Sequence, residues 1–211
     1  MRYVFAVIVL AGFVFLASPG AQASLLSVDP LALAAWRGTQ TFYAVDATYT
    51  LNVTADYAVY APGMFPGTDP SGGTDYVYAY EIFNTLNPAS VEVTMLTVGL
   101  APGSGAHYAG FTSGPPGQLG GAGPAQPRIG ATSARWYFFI NPVDYGEDSF
   151  TLRFTSPYGP RWMTASVDDG GLSADAPMPS PMPEPATLVL LSAGLASTIL
   201  VRRRRAAASL V

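Results

Sequence analysis

Any chemistry done by this chain has to come from oxygen. Cysteine is absent and histidine occurs once, at His107. Disulfides, thiolate metal sites and thiol nucleophiles are therefore excluded, and so is a multi-histidine metal centre. His107 lies in a Gly/Pro-rich stretch with no oriented partner evident in sequence, and a working base needs one within hydrogen-bond reach, so it reads as a loop residue. Adjacent carboxylates occur at Glu147-Asp148 and at Asp168-Asp169. A glycosidase needs two carboxyl groups at a suitable separation, which sequence does not supply, so a secreted carboxylate-dependent hydrolase has no recognisable motif behind it.

Two further patterns could bind rather than react. Asp69-Pro-Ser-Gly-Gly-Thr-Asp75 offers two carboxylates and several carbonyls in a Gly-rich loop, the all-oxygen ligation that calcium prefers. It lacks the alternating acids and terminal glutamate of an EF-hand loop, so Asp69 and Asp75 are calcium candidates only. Tyr76, Tyr78 and Tyr80 share one face of a strand and could stack on sugar rings; the competing role is core packing, since tyrosine suits strands and fills interiors with its hydroxyl at the edge. No cofactor motif is present.

The elements that would position these residues are strands. Period-two alternation rich in Tyr, Val, Thr and Phe predicts strands over 48–60, 74–84, 91–100, 135–140, 149–156 and 163–167. Turn chemistry separates them at Ala61-Pro-Gly, Asn87-Pro, Asn141-Pro and Ser156-Pro-Tyr-Gly-Pro. Helical periodicity is confined to 25–36. The expected fold is all-β, an antiparallel β-sandwich of jelly-roll or immunoglobulin-like type, spanning 24–169. A Gly/Pro-rich loop at 99–130 interrupts it and reads as disorder. Over 170–182, proline recurs at every second position from Pro177, which predicts a semi-rigid polyproline II stalk.

Charge limits the partners. Between Ser24 and Pro185 fourteen acidic residues face five arginines, a net of −9, although the whole chain is only −4 because the other arginines lie near its two ends. Such a surface repels nucleic acid and anionic membrane alike.

The ends describe a route. Met1-Arg2-Tyr3 is a positive n-region, residues 4–16 an apolar h-region, and Ala21-Gln22-Ala23 a small-residue cleavage site, so 1–23 reads as a signal peptide removed to leave Ser24 first. Pro183-Glu184-Pro185 is followed by an uncharged apolar segment, 186–201, and by Arg202, Arg203, Arg204 and Arg205. As a helix that segment covers about 24 Å, short of a hydrocarbon core of about 30 Å. Bilayer thinning and snorkelling arginines accommodate the difference, so a single transmembrane helix is expected with its arginines on the cytoplasmic side.

Residues 183–205, with a small residue, Ala186, directly after the tripeptide, resemble the PEP-CTERM sorting signal of bacterial exported proteins. The tail 206–211 runs longer than that family's usual ending at the arginines. Within the body, Tyr78-Ala-Tyr-Glu-Ile-Phe-Asn84 resembles the family's Tyr-x-Tyr strand, and Ser149 to Ser156 leading to Val167-Asp-Asp-Gly-Gly171 resembles its closing strands. The resemblance implies an exported body held in the inner membrane by the C-terminal helix. A membrane enzyme of the exosortase type would then recognise Pro183, Glu184 and Pro185, cut nearby, and deliver the body to the cell surface or extracellular matrix. On this reading the protein is no enzyme, its partners are the processing enzyme and the membrane, and the alternative role is a carbohydrate-binding module for exopolysaccharide.

The mature protein should begin at Ser24. Intact-mass measurement of exported material checks this, and Ala23→Trp should leave the leader attached.

Overall fold

The computed structural model describes residues 25–112 and 121–183. The signal peptide with Ala21, Ala23 and Ser24, the stretch 113–120, Glu184, Pro185, the apolar segment 186–201, and Arg202 to Arg205 lie outside the described residues. Ten strands follow a single turn of helix, α1 (Leu25–Val28), and a 3₁₀ turn (Ala34–Trp36). In order they are β1 (Arg37–Val45), β2 (Thr50–Tyr60), β3 (Tyr76–Phe83), β4 (Met95–Gly99), β5 (His107–Thr112), β6 (Gln126–Ile129), β7 (Ser133–Tyr137), β8 (Thr151–Ser156), β9 (Pro160–Asp168) and β10 (Ser173–Pro181).

They form two five-stranded sheets, β1-β2-β3-β8-β5 and β10-β9-β4-β7-β6, in which every ladder is antiparallel. The period-two pattern places Leu51, Val53, Ala55, Tyr57 and Val59 of β2 on the inner face of the first sheet, and Leu96, Val98, Ala165 and Val167 on that of the second. One core joins them, and its centre is aromatic. Tyr78 stacks on Phe154 with centroids 5.0 Å apart, while Trp136 of the second sheet lies 6.0 Å from Tyr80 and 6.2 Å from Phe154.

β3 is buried on both sides. Its outward residues Val77 and Ala79 join Ala58, Tyr60, Leu26 and Ala32 in a smaller cluster against which Phe65 packs. That explains why the strand reads Tyr-Val-Tyr-Ala-Tyr-Glu-Ile-Phe, almost without a polar phase. The segment at 25–36, expected to be helical, has only two short turns and covers this outer face.

Three expectations are corrected. β1 was not anticipated, because Gln40, Thr41 and Thr39 dilute its apolar phase; its nine residues pair in register with β2. The supposed loop at 99–130 contains β5 and β6, which supply the outer strand of each sheet. Most consequentially, the expected stalk at 170–182 is largely β10, paired to β9 over nine positions from Ser173↔Asp168 to Pro181↔Pro160.

The prolines permit this because they alternate. Pro177, Pro179 and Pro181 lack an N–H, but residues two apart in a strand direct their backbone groups to the same side. Ala176, Met178 and Ser180 therefore supply the donors to β9, and the missing donors fall on the outer edge of the sheet. The same edge cannot accept another strand, so β10 lies beside β1 without pairing to it. Trp36, Trp162 and Tyr57 fill that seam, Trp162 lying 5.1 Å from Trp36 and 5.6 Å edge-on to Tyr57. Gly38 admits the Tyr57 ring there: its φ is +154°, and a Cβ would meet the Tyr57 hydroxyl at 2.8 Å.

Because Met178 is fully buried in the shared core, Met178→Ala should cost about 2–5 kcal/mol in a denaturant titration. The same substitution in a solvated stalk would leave the midpoint unmoved.

Candidate functional site

The first carboxylate group to test is Asp69 with Asp75. Asp69 Oδ1 accepts from the Ser71 backbone at 2.8 Å and the Ser71 hydroxyl at 2.7 Å. Asp75 instead meets His107, with Nε2 to Oδ2 at 2.8 Å, and its own N–H bonds the Ser71 hydroxyl. His107 Nδ1 lies 2.6 Å from the Gly105 carbonyl. Both ring nitrogens thus face oxygen atoms of the fold, which makes the ring a strut between β5 and the loop before β3, and not a base facing a nucleophile. Arg153 lies partly buried near Asp69, its pKa lowered by burial and held up against that by the Asp69 charge. Among the described residues no group of three or more metal-ligating side chains occurs. The two calcium candidates are directed to different protein partners.

The adjacent acids serve turns and the sheet. Asp169 Oδ1 accepts from Gly171 at 2.7 Å and from Leu172, closing the β9–β10 hairpin. Asp148 pairs with Glu81 and not with its sequence neighbour; burial pushes its carboxyl up, opposed by hydrogen bonds to backbone and to Glu81. Glu81 stands beside Asp56 in the β2–β3 register, and the Thr39 hydroxyl donates to Asp56 at 2.5 Å. Sequence reading missed this carboxylate cluster. Its signal was a lone acid in the outward phase of each of two neighbouring strands, which only register could bring together. Asp56 is 4% and Glu81 1% exposed, so no substrate reaches that pair, while Asp148 is half-buried and directed to Glu81.

Of the tyrosine row, Tyr76 is half-buried against the core and the other two are interior. Tyr78 and Tyr80 have no exposed surface, and their hydroxyls donate to the carbonyls of Tyr158 at 2.8 Å and Pro179 at 2.5 Å. Packing, and not sugar stacking, is their role. An aromatic surface does exist elsewhere: an open groove of about 460 Å³ crosses β9 and β10, lined by Trp162, Met163, Thr164, Asp175, Ala176 and Pro177. Trp162 is 44% exposed at its end.

Of the sorting tripeptide only Pro183 is described, and it is held by the fold. Met182 donates its N–H to the Gly159 carbonyl at 3.2 Å, Arg161 contacts the Met182 sulfur at 2.7 Å, and Pro183 lies beside Gly103. The motif therefore begins two residues beyond the end of β10, against the body itself. Among the described residues no helix is long and apolar enough to cross a membrane, and the segment expected to do so lies outside them.

Burial holds the Tyr80 proton well above its ordinary pKa of 10.0, with the neighbouring Tyr78 adding to the effect, and burial likewise raises Tyr78 and Tyr60. The unfolded chain ionises these groups near pH 10 while the folded chain keeps them neutral. The unfolded state then binds fewer protons, so stability is intact below about pH 10 and falls steadily above it. Circular dichroism across an alkaline titration should show cooperative unfolding coincident with tyrosinate absorbance.

No curated protein and no solved structure is similar enough to the chain to count as a match. A family model does match its last described residue and those that follow: over 183–205 the chain carries the PEP-CTERM protein-sorting motif.

Proposed function

We propose that this is an exported surface or matrix protein without enzymatic activity, sorted through its tail and cut near Pro183-Glu184-Pro185 by a membrane enzyme of the exosortase type. The observation that carries the reading is the sorting motif over 183–205. The leader at 1–23 directs export, the apolar segment 186–201 holds the chain in the inner membrane, and Arg202 to Arg205 stop its transfer. After cleavage the sandwich passes to the cell surface or beyond. The body itself is built as a stable module: Asp56 and Glu81 are sealed, Asp46, Asp69 and Asp169 cap turns, and its only histidine is committed to Asp75 and a carbonyl. The orders β2-β3-β8-β5 and β10-β9-β4 follow the A-B-E-D and G-F-C orders of an immunoglobulin-type sandwich, with β1 and the β6–β7 hairpin added at the edges.

A second reading attaches a role to the body. The Trp162 groove offers an aromatic face with the Asp175 carboxylate and Thr164 hydroxyl beside it, the pairing of stacking surface and hydrogen-bond groups that a sugar ring fits. This favours carbohydrate binding, with exopolysaccharide as the ligand in an extracellular matrix.

Replacing Pro183-Glu184-Pro185 by three alanines should abolish the shift to mature size and leave the protein in the membrane fraction. Unchanged processing and release would refute the sorting role. For the second reading, Thr164→Ala with Asp175→Ala, whose exposed side chains line the groove outside the aromatic seam, should weaken retention on acidic and neutral polysaccharide columns while leaving the melting temperature within a few degrees.

A further inference from the structure

The strands run along one axis, so the loops divide between two ends of the sandwich. At one end lie the β2–β3 connection at 61–75, the β4–β5 connection at 100–106, the β8–β9 turn at 157–159, and the exit of β10. Contacts confirm that these lie together. Gly105 abuts Pro157 and Tyr158, the Ser156 hydroxyl donates to Ser104 at 2.6 Å, and Met182 and Pro183 sit between Gly159 and Gly103. At the other end lie the β1–β2 hairpin, the β3–β4 and β7–β8 connections and the β9–β10 turn.

The two ends differ in charge. The far end carries Asp46, Glu92, Asp144, Glu147 and Asp169, with no basic side chain among its described loops. The exit end has Asp29, Asp69 and Asp75, but these are accompanied by Arg37, Arg153, Arg161 and His107: Arg37 contacts the Asp29 carbonyl, and His107 pairs with Asp75. The connections at 100–106 and 157–159 contain no acid. Met64 and Tyr158 are exposed there, 45% and 36%.

The tether is short. From Pro183 only Glu184 and Pro185 precede the apolar segment, so its first residue lies within about 10 Å of a residue packed on the body. With no stalk, the domain cannot turn its exit end away from whatever holds that segment. An anionic headgroup layer repels the carboxylate-rich end, and the repulsion acts over about a Debye length.

We propose that the exit end is a membrane-docking face: while the chain is held by 186–201, the loops at 61–75, 100–106 and 157–159 rest on the lipid headgroups and the acidic end points away. Met64 and Tyr158 reach the interfacial layer, where an amphipathic aromatic is favoured. The inference rests on the reading of 186–201 as a membrane-held segment. It also means that the processing enzyme meets Pro183 at the sandwich edge and not on a free stalk.

The absence of cysteine allows a direct test. Full-length protein carrying Met64→Cys, Tyr158→Cys, Val45→Cys or Tyr145→Cys, one at a time, is labelled with a thiol-reactive fluorophore and reconstituted into phosphatidylethanolamine–phosphatidylglycerol vesicles containing a headgroup spin label. Quenching should be several-fold stronger at 64 and 158 than at 45 and 145, which lie at the acidic end. Equal quenching at all four positions, in protein that floats with the vesicles, overturns the docking face alone. Failure to float overturns the membrane-held reading and this inference with it. Protection at 64 and 158 that appears only when the processing enzyme is co-reconstituted assigns the face to that protein and overturns the lipid assignment.

Discussion

The bond from the Tyr80 hydroxyl to the Pro179 carbonyl ties the middle of the first sheet to the last strand of the second. A fully buried phenol must find an acceptor, because leaving it unpaired costs about 1–3 kcal/mol. Pro179 can provide one because its carbonyl, like its missing N–H, faces away from β9 and is not used in the ladder. Trp136 makes the reciprocal tie, its indole N–H donating to the Gly110 carbonyl of β5 at 2.8 Å. Between these two links lie Phe154, Tyr78 and the aliphatic inner faces. Without disulfides, the alignment of the sheets rests on this aromatic centre and its two polar anchors.

The same tie decides where the sorting tail begins. β10 is held on its inner face by Met178, by the Ser180 hydroxyl on the Gly99 carbonyl at 2.6 Å, and by Tyr80. Its outer edge is closed to pairing by alternating prolines, a device that guards an exposed strand against zippering with another chain. The strand that completes the fold is also the strand that leads into the motif, so folding and presentation of the tail are one event.

Polar groups divide by accessibility. Asp56 and Glu81 meet on the covered outer face of the first sheet, where burial makes them structural, and Asp148 is directed to Glu81 from its edge. The outer face of β9 and β10 is open, and there Trp162, Thr164 and Asp175 meet solvent. Acids outside these regions concentrate at the end away from the tail. Such an arrangement orients a strongly acidic body without any single strong contact, because many exposed charges act together through the field they create.

The sequence by itself determined the sorting motif and the class of fold. The tripeptide, the apolar segment and the arginines are contiguous patterns, and six of the strands follow from period-two alternation with turn residues between them. What it misjudged were features whose meaning depends on a neighbour. Alternating proline is equally compatible with a solvated polyproline helix and an edge strand, and only β9 beside it selects the strand. β5 and β6 are short and Gly- or Pro-flanked, so their pairing with β8 and β7 supplies the stability their own residues lack. His107 looked incidental until β5 brought it to Asp75, and Asp56 met Glu81 only through cross-strand register. Local patterns are encoded by residue type along the chain; partners distant in sequence are chosen by packing and hydrogen-bond satisfaction, which exist only once the sheets have closed.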